Sequence, residues 1–174
     1  MHDSVQKKPR DRWTLLVLCT GNSARSIMAE AIFNSVGSRH FNAYSAGSRP
    51  TGQVNPHALN QITSRGIPLL NYRSKNWLEF SRAGAPELDL LLTVCDGAAA
   101  EPCPAFYGDY EHIHWGLPDP AAAADGQKRA AFSDCFDILK SRVQTLAALP
   151  LAGYSRAEVA RAMRAFAGQT ETMQ

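Results

Sequence analysis

Cys19 and Arg25 stand six positions apart, with Thr20, Gly21, Asn22, Ser23 and Ala24 between them and Ser26 directly after. A thiol, a guanidinium, small residues and hydroxyls are the makings of an oxyanion site. Ahead of them Leu15, Leu16, Val17 and Leu18 form an apolar run without polar interruption, the pattern of a strand buried on both faces, and from Ser26 the spacing is that of a helix. A loop between such elements can turn its amides inward as a nest, reinforced by the positive end of the helix dipole. Arg25 adds a planar fork of donors. A thiol at the bottom of that nest gains stabilisation of its thiolate, which predicts Cys19 as a low-pKa nucleophile. Packing alone calls for no such polar set.

A second buried-strand run, Leu88 through Val94, also finishes on a cysteine, Cys95. If the two strands are parallel neighbours at the switch point of a doubly wound sheet, their carboxyl ends flank one crevice and both thiols face it. Asp119 stands between Pro118 and Pro120, after a brief strand at residues 112–115, and is the candidate general acid for a departing oxygen. Asp-Pro is also plain turn chemistry. Ser26 is expected to donate to the Cys19 sulfur, to cap the helix, or both, and Asn22 to shape the loop in a left-handed backbone conformation.

The run Cys19-Thr20-Gly21-Asn22-Ser23-Ala24-Arg25-Ser26, with Met28, Ala29 and Glu30 behind it, resembles the phosphate-binding loop of the low-molecular-weight protein tyrosine phosphatase superfamily, which includes arsenate reductases built on the same fold. The resemblance covers residues 13–149. It implies an α/β, three-layer domain with a four-stranded, mostly parallel sheet in which the strands ending on Cys19 and Cys95 are neighbours. It also implies a covalent adduct between Cys19 and a tetrahedral oxyanion, arsenate or phosphate, held by the amides of residues 20–24 and by Arg25, with Asp119 in the family's acid loop.

Cys95 separates the two activities of such a family. A thiol that reaches the Cys19-arsenic adduct can attack the Cys19 sulfur, expel arsenite and leave a disulfide, whereas a phosphocysteine needs only water and Asp119. Arsenate reduction is therefore the expected function, with phosphomonoester hydrolysis the alternative. Ile27 stands where the phosphatases generally have proline, and the residues after Asp119 (Pro120, Ala121, Ala122, Ala123, Ala124) lack the aromatics that line a phenyl pocket. A phosphate-sensing module would not need Cys19, Cys95 and Asp119 together, and a purely structural protein would need none of them.

Cys103, between Pro102 and Pro104, resembles the shuttle thiol of the thioredoxin-coupled reductases, but its spacing from Cys95 is one residue longer than in that type. Arg73 and Lys75 stand where that subgroup tends to place Thr and Asp around a potassium ion, together with the equivalents of Asn22, Glu30 and Ser45. Lys75 either replaces such an ion with a fixed charge or is a solvated lysine. These departures favour glutathione and glutaredoxin over thioredoxin as the reductant, and no bound metal or cofactor is expected.

The elements that must position these groups follow along the chain. Residues 26–36 read as a helix, 41–45 as an edge strand, 55–66 as a helix opened by Pro56, and 74–80 as a short helical piece. Residues 96–110 read as a mobile loop carrying Cys103. A long helix follows at 127–149, with Phe132, Phe136, Leu139, Val143 and Leu146 as its stripe and Cys135 as a packed, inert thiol beside it. Ser155 and Glu158 form a capping-box pattern opening a last helix, which either packs back or serves self-association.

The 174 residues make one domain's worth of chain, divided as a solvated basic tail (1–12), the phosphatase-like domain (13–149) and a helical extension (150–174). Net charge of +2 argues for neither nucleic acid nor membrane as a partner. Four cysteines without a secretion signal, and without zinc-type spacing, point to a reducing, cytoplasmic setting.

Overall fold

A computed structural model describes residues 12–166. The tail expected at 1–12 therefore lies outside the described residues except for Arg12, and so does the end of the 150–174 extension from residue 167. Four strands, β1 (Trp13–Leu18), β2 (Phe41–Ala46), β3 (Leu90–Thr93) and β4 (Glu111–His114), form one sheet in the order β2-β1-β3-β4 with every pairing parallel. The helices are α1 (Arg25–Ser35), α2 (Pro56–Ser64), α3 (Asp96–Ala100), α4 (Lys128–Ala147) and α5 (Arg156–Arg164). Among the described residues no helix is long and apolar enough to cross a membrane.

β1 and β3 are the inner strands, which is why Leu15 to Leu18 and Leu90 to Leu92 are apolar without alternation: both of their faces are covered and all are essentially fully buried. β2, at an edge, alternates buried Phe41 and Ala43 with exposed Asn42. On one face α1 packs against β1 and β2, and α4 and α2 pack on α1. The stripe expected of α4, from Phe132 to Leu146, is fully buried there. The other face is covered more thinly, by α3 against β3 and by a 3-10 turn at Trp77–Phe80 whose Phe80 ring lies 5.6 Å from that of Tyr44.

α5 packs back onto the domain. Its capping box is closed in both directions between Ser155 and Glu158, and it lies against β4. The Trp115 indole N–H donates to the Met163 carbonyl at 2.8 Å, while Arg164 donates to His112 O and pairs with Glu111 at 3.0 Å. Trp115 is fully buried, stacked on Phe33 of α1 and overlain by the Arg142 guanidinium at 5.4 Å. An indole N–H buried to this degree needs an acceptor, and α5 supplies it.

One expectation requires correction. Residues 96–110 do not begin as a loop: Cys95 caps the short helix α3, its sulfur accepting the Ala98 amide at 3.3 Å. Further on, Leu88 N–H donates to Tyr107 O, and Gly108 lies so close to the Leu88 backbone that a Cβ would collide with it. The segment is thus pinned at both ends.

Candidate active site

The loop from Cys19 to Arg25 sits at the carboxyl ends of β1 and β3, where Leu18 pairs with Thr93. One neighbouring stretch, residues 49–55, engages its carbonyls with three amides: Arg49 N–H bonds Thr20 O, Thr51 N–H bonds Gly21 O, and Asn55 N–H bonds Ser23 O. Ser74 adds its hydroxyl to Gly21 O at 3.1 Å. With the carbonyls engaged from outside, amides are left to face the hollow. Gly47 is the contact that lets these walls close, because a Cβ there would run into Thr20 O and come within 2.7 Å of Cys19 O.

Asn22 is the keystone of the loop. It is fully buried and has φ of 44°, the left-handed conformation its type tolerates. Its amide nitrogen donates to Ser26 Oγ (2.8 Å) and Ser45 Oγ (3.0 Å), and its oxygen accepts the Lys75 amide (2.9 Å). Ser45 in turn donates to Glu30 at 3.0 Å. Ser26 does not cap α1: the cap position is Ala24, with no side-chain bond, because the helix already starts at Arg25. By accepting from Asn22, Ser26 keeps its hydroxyl hydrogen for another acceptor.

Lys75 is buried rather than solvated. Burial pulls its pKa down while nearby Glu30 pushes it back up; burial raises Glu30, and Lys75 is the largest opposing influence. A lysine ammonium thus neighbours the Asn22, Ser45 and Glu30 network.

Cys19 and Cys95 are brought together, both buried and close enough for each to act on the other's ionisation. Cys19 is pushed up, first by its bond to Cys95 and then by burial, and Arg25 and the Gly21 amide only partly offset this. Cys95 is pulled down, by Cys19 as donor, by the Thr20 side chain and by the amides of Ala98 and Thr20. The Thr20 amide lies 3.4 Å from the Cys95 sulfur and its hydroxyl 3.5 Å, and that hydroxyl also reaches Glu101 at 3.4 Å. The donors around Cys95 thus favour its thiolate, while burial works against that of Cys19.

Arg25 donates to Leu117 O at 2.8 Å and lies 3.9 Å from Asp119. Its Nε is buried without a partner, an orphaned donor of the kind an oxyanion satisfies. Asp119 is half-exposed and does serve the turn, accepting Ala121 N–H at 3.0 Å, yet that turn leaves it beside Arg25. Cys103 is only partly buried; its thiol leans on the Glu101 carbonyl at 3.9 Å, and burial raises its pKa. Cys135 is pushed up to about 12 by burial, as suits a packed thiol.

Cys19, Cys95, Arg25, Asp119, Ser26 and the loop residues thus converge, while Cys103 follows α3 in the chain with its thiol against the Glu101 carbonyl. Sequence reasoning missed the Leu117 carbonyl, Ser74 and the hold of Thr20 on Cys95. A backbone carbonyl leaves no signal in residue types, and Thr20 gains its second role only from the adjacency of β1 and β3.

Comparison with known proteins agrees with this geometry. An arsenate reductase of Halalkalibacterium halodurans is 37% identical over 132 residues, covering 75% of this chain and 91% of that protein. Arsenate reductase 1 of Staphylococcus epidermidis is 33% identical over 146 residues, covering 82% and 98%. Among solved structures, one described as an arsenate reductase in the phosphate binding state superposes with a TM-score of 0.61 at 26% identity, covering 78% of this chain and 97% of the other. Residues 14–163 match the low molecular weight phosphotyrosine protein phosphatase family, so α5 as well as the loop lies within the match. This chain belongs to that family.

Proposed function

We propose that the protein reduces arsenate to arsenite, with Cys19 forming the adduct and Cys95 resolving it. The observation that carries this reading is Cys95 itself. A buried sulfur in contact with Cys19, held by the Thr20 and Ala98 amides, is superfluous for phosphate ester hydrolysis and necessary for reduction. The names of the relatives support the same choice.

Cys19 must lose its proton before it can attack, and Cys95 stands beside it to take that proton. Handing it from Cys19 to Cys95 leaves the Cys19 thiolate facing the oxyanion, which the loop amides and Arg25 orient. Cys19 attacks arsenic, and Asp119 protonates the departing hydroxyl, which leaves as water. Cys95 then gives up its proton and attacks the Cys19 sulfur. The sulfur-arsenic bond breaks with its electron pair going to arsenic, so arsenic(V) becomes arsenite while two thiols become one disulfide. Because its neighbours hold Cys95 below an ordinary thiol, this second step is expected to stay fast at pH values where free cysteine is protonated.

Cys95→Ala tests the reading. Arsenite release should stop while hydrolysis of p-nitrophenyl phosphate persists, since only reduction needs the second thiol. Unchanged arsenate turnover would overturn it. For regeneration we propose glutathione with glutaredoxin, supported by the longer spacing to Cys103, by the lean of its thiol toward Glu101 and by Lys75. Mass spectrometry after one turnover distinguishes the donors: a glutathione adduct supports this proposal, and a Cys95-Cys103 disulfide restored by thioredoxin contradicts it.

A further inference from the structure

Beside Cys95, on the same face of β3, a polar cluster lies outside the oxyanion site. The Thr93 hydroxyl, fully buried, is 2.8 Å from His114 Nδ1 and 3.2 Å from His112 Nε2. On its other side His114 Nε2 meets Asp96 Oδ1 at 2.9 Å. Asp96 is the first residue of α3, directly after the capping Cys95. Gly116 clears the space: a Cβ there would stand 3.1 Å from Asp96 Oδ1 and 3.2 Å from His114 Nε2, wedging the pair apart.

We infer that His114 is a positioning residue for the second thiol, gripping Asp96 so that the first turn of α3 stays seated and its Ala98 amide stays aimed at the Cys95 sulfur. This rests on the reading of Cys95 as the resolving thiol. The clasp closes in either charge state of the imidazole. A carboxylate only accepts, so Nε2 carries hydrogen. In neutral His114, Nδ1 then accepts from the Thr93 hydroxyl, which accepts from His112. In the cation, Nδ1 donates to Thr93, which donates to His112 instead. The grip is therefore the same in both. The other charged groups facing the cluster are Arg164, which donates to His112 O, and Glu111, which pairs with Arg164. Burial, His114 and Arg164 all hold His112 toward its neutral form.

The test reads Cys95 directly, in the reduced full chain, by iodoacetamide labelling across pH with peptide mass mapping. His114→Ala should move the Cys95 labelling midpoint up by about one pH unit, a tenfold loss of thiolate below it, and slow arsenate turnover about tenfold. His114→Gln, whose amide still reaches Asp96, should restore most of both, and p-nitrophenyl phosphate hydrolysis should stay within about twofold in each variant. An unshifted Cys95 midpoint in His114→Ala, or equal losses of the two activities, would overturn the inference. A wild-type protein inert toward arsenate would instead strike the proposed function, since the labelling midpoint does not depend on turnover.

Discussion

The Cys19 loop and the segment from Cys95 to Cys103 meet at one pair of sulfurs but are built on opposite principles. The loop is clamped from outside by Arg49, Thr51, Asn55 and Ser74 and from within by Asn22, all on backbone or buried groups. The segment is a five-residue helix whose cap is a reactive sulfur and whose grip on β4 is the solvent-exposed pair of Asp96 with His114. A cradle for a fixed charge needs preorganisation, whereas a thiol that must change partners needs an attachment that its own chemistry can release. Disulfide formation at Cys95 withdraws the acceptor on which Ala98 and Thr20 depend.

Damage to the cradle should strike reduction and ester hydrolysis together, and damage to the segment only the former. Replacing Cys19 by Ser is the most severe case: both activities should fall by on the order of 10³-fold or more, as when a nucleophile is removed from a cooperating set. Surviving ester hydrolysis would break the comparison at its root. Asp119→Asn should cost roughly 10²- to 10⁴-fold in whichever step expels oxygen, and pre-steady-state kinetics should find the Cys19 adduct slow to form. Asn22→Ala leaves Ser45, Ser26 and the Lys75 amide without their buried partner; chemical denaturation should show a loss of about 2–3 kcal/mol, alongside a fall in both activities. The smallest effect concerns ions. With Lys75 fixed beside Glu30, exchanging sodium for potassium should alter either rate by less than about twofold, and a strong potassium activation would show that the lysine charge does not serve the cradle.

Much of this was legible in residue order. The unalternated leucines of β1 and β3 announced inner strands, Pro56 and the Ser155-Glu158 pair marked helix starts, and the loop was explicit in its composition. The remainder depended on what lies across the sheet. α3 escaped because its cap is a cysteine, outside the usual capping residues, and because Gly97 and the prolines after it read as a loop. Of the two roles open to Ser26, donor to the Cys19 sulfur or helix cap, the cap is one that α1 does not use, since the helix begins at Arg25. The charge on Cys19 could not be read locally at all. Nest, dipole and arginine all favour its thiolate, and a sulfur 76 positions away, with donors of its own, opposes them.

The strand order carries a consequence for how the molecule assembles. β1 and β2 pair across 28 residues, Leu15 with Ala43, but β1 and β3 pair across 75, Leu15 with Leu90. Closing the longer loop costs more entropy and comes later in a chain whose parallel contacts are all non-local. The β1-α1-β2 unit already contains Asn22, Ser26, Glu30 and Ser45, so much of the cradle can take shape before β3 arrives with the second thiol. Substitutions in that unit are expected to slow folding, and substitutions in β3 and β4 to hasten unfolding. The chain is thus expected to acquire its anion site before its second thiol.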